Sequence, residues 1–419
     1  MAHLLFQQQT FDHIDLIIHS GHVIDPANNI NGLFDVIIVD TRVVGVVLKT
    51  TSEQRSLSKE LHDATGCFVT PGLIDLHAHV YQHSTPLGID PDTHCLFKGV
   101  TTVVDAGSSG ATTFAGLREF IAKKSTTRVL CFIHICMHGL ASAGCSGFGT
   151  GGELDSLNQV DEVQASECLE KNSDMVVGVK IRLSADCAAD GENEIEAFRR
   201  ARAVTHAAKK PLIVHHTFSS IPHEGPEGAL GSLRRGDIYT HSLHGFPSSL
   251  IQVKSREEDA TAGDAAAEAS SQSATTATTK KYMVRQAARE ARERGVLFDV
   301  GHGAGSFSWK VAEICAAENF YPDTISTDLH VESCGSPCYD LCIAASKMMH
   351  VGMSLFDVVA AMTSTPARAI GWEDRIGSLT HGYLADITVL QKDVFDKPQL
   401  VEDCQGQLYC QTCTTRRRR

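Results

Sequence analysis

From about residue 68 onward, short runs of apolar and β-branched residues alternate with longer stretches of helical pattern. This alternation is typical of a parallel sheet whose strands are joined by crossover helices. We predict eight strands, at Leu73–Leu76, Val100–Asp105, Val129–Ile135, Val176–Leu183, Leu212–His215, Ile238–His241, Val296–Val300 and Thr324–Asp328. Eight such units over roughly 300 residues fit an α/β fold of the (β/α)8 TIM-barrel type, in which active sites lie at the carboxyl ends of the strands.

The stretches between these runs carry helical patterns. We predict helices at Phe114–Lys124, Leu154–Lys171, Glu194–Lys209, Lys281–Arg294, Phe307–Glu318, Leu341–Val351 and Ser354–Ala361. The first 62 residues show short β-like runs without a helix pattern, and residues 382–390 are β-like again. We therefore expect a small β-sandwich domain built from both chain ends, with residues 1–62 and 371–400 flanking a barrel of residues 63–370.

Two segments fall outside this scheme. Residues 255–280 consist mostly of Glu, Asp, Ala, Ser and Thr and contain no large apolar side chain, so we predict a disordered insertion in the barrel. Residues 401–419 are predicted as a tail whose final arginines, Arg416–Arg419, form a frayed and solvated end. Cys410 and Cys413 form a CxxC without a second pair nearby, which argues against a zinc or redox role.

Composition narrows the range of partners. The chain of 419 residues has 50 acidic and 37 Lys or Arg side chains, a net charge of −13, which does not favour a nucleic-acid groove. No run approaches the roughly 18 apolar residues of a membrane span. The fourteen cysteines show no regular framework and no secretory signal is evident, so we expect reduced thiols and a cytoplasmic protein. A homo-oligomer remains open.

Six polar side chains fall at or near the carboxyl ends of predicted strands: His77, His79, Lys180, His215, His241 and Asp328. His77 and His79 are two residues apart, so both imidazoles leave their strand on the same face. Because all these strand ends meet at one rim of a barrel, we expect the six side chains to lie together. Imidazoles and a carboxylate suit divalent zinc, manganese or iron.

This set exceeds the three protein ligands of a single catalytic zinc, so two divalent ions are the natural number, with zinc the favoured metal. Two ions need a bridging anion. Lys180 interrupts an apolar strand, where a charged amine is costly. Burial lowers the pKa of a lysine, and a neutral amine reacts with carbon dioxide to give a carbamate with two oxygens. We therefore predict an N6-carboxylated Lys180 between the two metal ions.

The chain resembles the amidohydrolase superfamily. Within the superfamily it resembles the binuclear branch that has a carboxylated lysine, and within that branch a dihydroorotase-like group of deacetylases. The resemblance rests on Pro71–Tyr81, Gly99–Gly107, Gly178–Ser184, Asp299–Gly303 and Asp323–His330. It covers nearly the whole chain except the insertion and the last residues. The insertion just after His241 departs from the pattern and puts transfer of the substrate in doubt.

The resemblance implies a role for each site residue. His77, His79 and Asp328 would hold the more buried metal, His215 and His241 the second, and Lys180 would bridge them. A hydroxide shared by the ions would attack a carbonyl, with the catalytic Asp328 moving its proton to the leaving group.

We accordingly expect a hydrolase that cleaves the amide or ester bond of a small acylated substrate, with deacetylation favoured. A cyclic amidohydrolase of the dihydroorotase or hydantoinase type is the alternative. A catalytically inactive barrel that serves as a binding scaffold is the alternative of another class.

Five further residues are left open. His216 faces away from His215 on the same strand, and His244 lies in a predicted loop, so neither is favoured as a ligand. His302, between two glycines, is a candidate for substrate contact. Arg182 shares the face of Lys180 and is suited either to a substrate carboxylate or to an ion pair with a barrel carboxylate. Asp75 lies deeper on the face of His77 and is expected to support the ligands.

Overall fold

The computed structural model describes residues 11–142, 151–254 and 281–417 of the chain. The predicted insertion at 255–280 lies outside these residues. No helix in the described ranges has the length and hydrophobicity needed to cross a membrane.

Strands from both ends of the chain form one mixed sheet. They are Ile14–Asp25, Ile30–Val39, Arg42–Val47, Ser58–Asp63, Cys67–Pro71, Ile387–Glu402 and Leu408–Arg417. Cys67–Pro71 pairs in parallel with the first of these strands and antiparallel with Ile387–Glu402. The sheet has a small apolar core of its own that includes Val23, Val36 and Val69. Both ends thus share a sheet, while the two-layer sandwich stays a prediction.

The N-terminal part also contains a helix, Ser52–Leu57, which the sequence analysis did not predict. Thr51 Oγ1 accepts the backbone N–H of Gln54 at 3.1 Å, and Gln54 Oε1 accepts that of Thr51 at 2.9 Å. This reciprocal pair is a capping box, and it satisfies two backbone donors that a helix start leaves free. The Thr-x-x-Gln spacing was therefore the sequence signal for this helix.

Seven parallel strands form the barrel sheet, in the same order in space as along the chain. They are Leu73–Ala78, Val100–Gly110, Arg128–His134, Val176–Leu183, Leu212–His216, Ile238–Thr240 and Leu297–Phe298. We number them one to seven. They enclose the main apolar core, whose largest fully buried side chains include Phe132, Tyr239 and Phe298.

The predicted eighth strand is present as an irregular closing segment, residues 324–329. It makes isolated parallel bridges, from Thr324 to Asp299 beyond strand seven and from Leu329 to Ala78 on strand one. Side chains supply part of its support: Asp75 accepts the backbone N–H and the hydroxyl of Thr327, at 3.0 and 2.6 Å. The segment thus closes the TIM barrel through side-chain bonds as well as backbone bonds.

The α-helices of the described residues are Ser52–Leu57, Pro91–His94, Phe114–Gly116, Glu162–Lys171, Glu194–Ala208, Gln286–Arg294, Trp309–Ala317, Leu341–His350, Leu355–Met362 and Ser364–Ala369. Phe114–Gly116 continues as a π-helix, Leu117–Ala122. Short 3-10 turns lie at Pro26–Asn28, Leu96–Lys98, Gly139–Ser142, Leu157–Gln159 and Ala185–Cys187.

Two predicted helices begin several residues later than expected. The helix predicted from Leu154 starts at Glu162, where the carboxylate of Asp161 accepts the backbone N–H groups of Val163 and Gln164. The helix predicted from Lys281 starts at Gln286, because Tyr282–Val284 instead pairs antiparallel with Ile251–Val253. In both cases a local capping or strand-pairing bond outweighs the helical pattern.

Residues 401–419, predicted as a tail, include the strand Leu408–Arg417 and a turn that packs on the barrel. The carboxylate of Asp403 accepts the backbone N–H of Trp309 at 3.0 Å, and the N–H of Cys404 donates to Phe307 O at 3.0 Å. Lys347 Nζ donates to the carbonyl oxygen of Glu402 at 2.6 Å. The described residues 401–417 are therefore fastened rather than frayed, because buried polar groups on both sides pair with each other and the last strand pairs with Ile387–Glu402. Arg418 and Arg419, the last of the arginines predicted to fray, lie outside the described residues.

Candidate metal centre

The six side chains predicted from the strand ends lie in one cluster at the carboxyl rim of the barrel. Asp328 Oδ1 lies 3.3 Å from His77 Nε2 and 3.0 Å from His79 Nε2. Lys180 Nζ, from strand four, lies 3.2 Å from His77 Nε2. The structure brings strands one and four and the closing segment to one point.

The two remaining histidines of the set complete the cluster. The ring of His241, just beyond strand six, lies 5.0 Å from that of His77, centre to centre. The ring of His215, on strand five, lies 4.2 Å from that of His241. Ring contacts therefore connect His77 to His241 and His241 to His215. Each of the six predicted residues lies next to at least one other residue of the cluster.

Burial sets the protonation of this cluster. It lowers the pKa of His77 and His215 well below the ordinary value for imidazole, and that of His241 to about 4. These rings are neutral at pH 7, as a metal ligand must be. Burial pushes the pKa of Asp328 upward, but contacts that include the hydrogen bond with His79 outweigh burial and hold the pKa well below the usual range. The carboxylate is therefore ionised.

Hydrogen bonds at the opposite ring nitrogens fix two of the imidazoles. Thr240 Oγ1 donates to Asp299 at 2.7 Å, so it accepts the Nδ1–H of His77 at 2.9 Å. His241 donates its Nδ1–H to Gly301 O at 2.6 Å. Both rings consequently present an unprotonated Nε2 to the cluster. Such partners commonly orient the histidines of metal sites.

The residues fit a divalent cation. One ligand atom from each of His77, His241 and Asp328 lies within 4.8 Å of the others. His241 Nε2 is buried and, within the described part of the chain, has no hydrogen-bond partner. His215 Nε2 bonds Thr217 Oγ1 at 2.8 Å, which leaves its Nδ1 as the nitrogen available for an ion. A buried lone pair aimed into a carboxylate–imidazole cluster is what a metal ion would satisfy.

The cluster opens into a pocket of about 260 Å³. Its walls combine the polar residues of the centre with apolar side chains, including Leu87, Leu140, Phe218 and Phe246. The rings of Phe218 and Phe246 are in contact, with centroids 4.2 Å apart. The pocket has room for a small organic molecule with an apolar part beside the polar centre.

The structure shows the contacts of two residues whose role the sequence left open, Arg182 and His302. Arg182 forms a two-pronged ion pair with Glu153, with Nε–Oε1 2.5 Å and Nη2–Oε2 2.9 Å, so the barrel-carboxylate alternative is the one observed. Arg182 still lines the pocket. His302 is not among the pocket-lining residues; its Nε2 accepts from Lys347 Nζ at 2.8 Å, so a substrate contact has no support.

The other open residues lie outside the cluster, as expected. His216 bonds Tyr239 OH at 3.1 Å and Ile221 O at 2.8 Å. His244 Nδ1 accepts the backbone N–H of Phe246 at 3.2 Å. Asp75 is tied to Thr327, which places it behind the ligands.

Four residues near the centre were not singled out: His134, Glu153, Asp299 and His330. His134 ends strand three as His215 nearly ends strand five, so the same strand-end reasoning would have found it. Asp299 and His330 lie inside two of the motifs that carry the family resemblance, Asp299–Gly303 and Asp323–His330. The carboxylate of Asp299 accepts hydrogen bonds from the hydroxyls of Thr240 and Ser326. Glu153 lies in a loop, where no sequence pattern marks it.

A TIM barrel with a buried histidine–carboxylate–lysine cluster at its carboxyl rim defines a class of hydrolytic barrel enzymes. The Amidohydrolase family matches residues 68–408, and the chain belongs to this family. It is thus a hydrolase acting on carbon–nitrogen bonds.

Two relatives and two solved structures are similar to this chain over most of its length. The chain is 33% identical over 344 residues to a deacetylase of Agrobacterium fabrum, covering 82% of this chain and 75% of the relative. It is 27% identical over 378 residues to a deacetylase of Enterococcus faecalis, covering 90% and 89%. A crystal structure of an adenine deaminase has a TM-score of 0.79 at 25% identity, covering 96% of both chains. A dihydroorotase structure has a TM-score of 0.74 at 27% identity, covering 96% and 95%.

Proposed function

We propose that this chain is a metal-dependent deacetylase that hydrolyses the amide or ester bond of a small acylated molecule. The observation that carries the proposal is the convergence of six side chains in one cluster: His77, His79, Lys180, His215, His241 and Asp328. All of them except His241 line the pocket. The similarity to relatives named deacetylase over most of the chain supports the choice of reaction.

Two divalent ions, with zinc the natural choice for this donor set, would be held by these residues. His77, His79 and Asp328 would hold one ion, while Nδ1 of His215 and Nε2 of His241 would hold the other. When bound, such ions lower the pKa of water to about 7 and polarise a carbonyl. Burial lowers the pKa of Lys180 to about 8, which supports a carboxylated lysine as the ligand shared by both ions.

The chain's own groups then divide the work. Asp328, ionised and beside His77 and His79, accepts the proton of the attacking water and returns it to the leaving nitrogen or oxygen. Hydrogen bonds to Thr240 and Gly301 hold His77 and His241 in the tautomer whose Nε2 is unprotonated. Leu87, Leu140 and the pair Phe218–Phe246 exclude water around the acylated group.

A cyclic amidohydrolase is the second candidate. The dihydroorotase structure that the chain resembles over nearly its whole length favours it. The same centre would then open a ring amide instead of releasing an acyl group. An inactive scaffold has less support, because the ligand set has no missing member.

The test is a substrate screen with the zinc-replete protein. N-acetyl amino acids, acetylated hydroxy acids, dihydroorotate and hydantoins are assayed for acid release or ring opening, alongside a zinc analysis. Acetate release with about two zinc ions per chain supports the proposal. Ring opening without acetate release favours the cyclic amidohydrolase, and the absence of zinc and of all turnover favours the scaffold.

A further inference from the structure

His134 and Lys180 are neighbours on adjacent strands of the barrel. They are directly paired in the parallel register of strands three and four. Both side chains also pack against Gly107 on strand two, where an added Cβ would lie 2.8 Å from Lys180 Cγ and 3.3 Å from His134 Cδ2. The two side chains therefore share one face inside the barrel, at the pocket wall.

A backbone bond fixes the tautomer of His134. The N–H of Cys136 donates to His134 Nδ1 at 3.0 Å, so Nδ1 carries a lone pair. Because Nδ1 accepts a hydrogen bond, the ring is not the doubly protonated imidazolium and is therefore neutral. A neutral imidazole holds one proton, so His134 carries it on Nε2 as a donor.

This donor is unused. His134 Nε2 is buried and has no hydrogen-bond partner among the described residues. The nearest carboxylate, Oε1 of Glu153, is 3.9 Å away, beyond hydrogen-bonding distance, and both oxygens of Glu153 already accept from Arg182. A buried donor without a partner is rare in a folded protein and calls for an acceptor that is present in the working state.

We propose that His134 is a positioning residue whose Nε2–H donates to an oxygen of the carbamate formed on Lys180. The proposal rests on the carboxylated lysine of the proposed function and explains how this chain retains it. The carbamate adds a carboxylate at the end of the Lys180 side chain, on the barrel face that His134 shares. The donor thus stabilises the modified lysine over the free amine.

Carboxylation of Lys180 needs only carbon dioxide and the loss of one proton. The neutral Nζ of Lys180 forms a bond to the carbon of carbon dioxide, and one C=O electron pair moves onto oxygen. The nitrogen then gives up one proton to water, leaving a carbamate anion. A neutral N–H donor adds a hydrogen bond to that anion without a second proton transfer, so His134 needs no change of charge.

The test uses the full-length zinc-replete protein labelled with 13C-bicarbonate. Carbon-13 NMR reports the carbamate, and chelator competition reports the zinc affinity. His134→Phe removes the donor, whereas His134→Gln places an amide N–H near the position of Nε2. His216→Phe is the matched control, a buried histidine of strand five whose bonds lie away from the centre.

We expect one carbamate signal in the wild type and in His216→Phe. His134→Phe should lose most of that signal and bind zinc 10- to 100-fold more weakly, the range found when a group behind a metal ligand is removed. His134→Gln should recover most of both. His134→Phe with an undiminished signal and zinc affinity within twofold of wild type overturns the proposal.

Two further outcomes are informative. If His134→Phe does not fold, His134→Gln is compared with His134→Asn. The shorter Asn side chain places its amide near the position of Nδ1, whereas the Gln amide reaches the position of Nε2. Equal carbamate signals in these two variants overturn the proposal, and a weaker signal in the Asn variant supports it. A wild type without any carbamate signal overturns this inference together with the carboxylated lysine, while the substrate screen still decides deacetylation.

Discussion

His241 donates its Nδ1–H to the carbonyl oxygen of Gly301 over 2.6 Å. The two residues come from neighbouring parts of the barrel rim, and both have positive φ angles, 58° and 48°. The bond turns the Nε2 lone pair of His241 into the metal cluster. The shape of the backbone after strand seven therefore controls a side chain that follows strand six.

Gly301→Ala should weaken the metal centre. An added Cβ would lie 2.2 Å from Thr240 Oγ1 and 2.9 Å from His241 Nδ1, and the backbone is left-handed there. We expect zinc affinity to fall about 10-fold or more and the free energy of unfolding to fall by about 1–3 kcal/mol. Chelator competition and urea unfolding measure the two effects. Gly335→Ala, where a Cβ meets nothing within 4 Å, is the control; equal behaviour of the two variants would contradict the argument.

Lys180→Ala should lose both metal and activity. The variant lacks the amine that the carbamate requires, so the shared ligand is gone. Short carboxylic acids such as acetate or propionate should restore part of the metal content by filling the space left in the pocket. Metal analysis with and without the added acid measures this. An unchanged metal content in Lys180→Ala would remove Lys180 from the centre.

Asp328→Asn should abolish turnover while the protein stays folded. The amide cannot take up the proton of the attacking water, and general acid–base groups contribute about 10²- to 10⁴-fold. The measurement is kcat on the substrate found in the screen. Asp174→Asn, an exposed carboxylate paired with Arg118, should keep the wild-type rate. Near-normal turnover in Asp328→Asn would rule out the proton-transfer role.

The sequence was sufficient for the barrel and for the cluster, for one physical reason. Parallel strands all end at the same rim, so polar residues at those ends are brought together whatever lies between them. His77 and Asp328 could thus be placed together although 250 residues separate them. The sequence could not reveal bonds that depend on three-dimensional proximity alone. The ion pair of Arg182 with the loop residue Glu153 is an example.

The errors at element ends have similar causes. The helix predicted from Lys281 begins with residues that pair with Ile251–Val253, and that pairing partner lies across the insertion. The predicted tail is fixed by Lys347, a residue far from it in sequence. Periodicity reports the face of an element that is buried, but it carries no information on which distant backbone group supplies a hydrogen bond.

Lys347→Met should loosen the C-terminal part of the chain. Lys347 is fully buried and donates to His302 Nε2, Pro337 O and Glu402 O, at 2.8, 3.0 and 2.6 Å. Removing the ammonium leaves these acceptors unpaired, and we expect a loss of about 2–4 kcal/mol in the free energy of unfolding. Urea unfolding measures it.

The control for this change is Lys171→Met. Lys171 pairs with Glu167 on an exposed helix face, so its loss should cost under about 0.5 kcal/mol. A cost for Lys347→Met no larger than that of the control would show that the buried lysine does not hold the C-terminal segment.

Replacing residues 255–280 by a two-residue turn should leave folding and metal content intact. The flanking strands are already joined across the gap, since the N–H of Lys254 donates to Lys281 O at 2.9 Å. A short turn matches that distance and the antiparallel pairing. Circular dichroism, unfolding and zinc analysis measure the result. An insoluble or metal-free product would show that the segment supports the barrel.

The sheet that joins both chain ends has a consequence for biosynthesis. Cys67–Pro71 leads through Gly72 directly into the strand that carries His77, yet its partner Ile387–Glu402 emerges from the ribosome roughly 300 residues later. At about 5–20 residues per second, one edge of this strand waits on the order of 15–60 s for its neighbour. During translation that edge exposes backbone groups that have no strand partner until the C-terminal part of the chain is made.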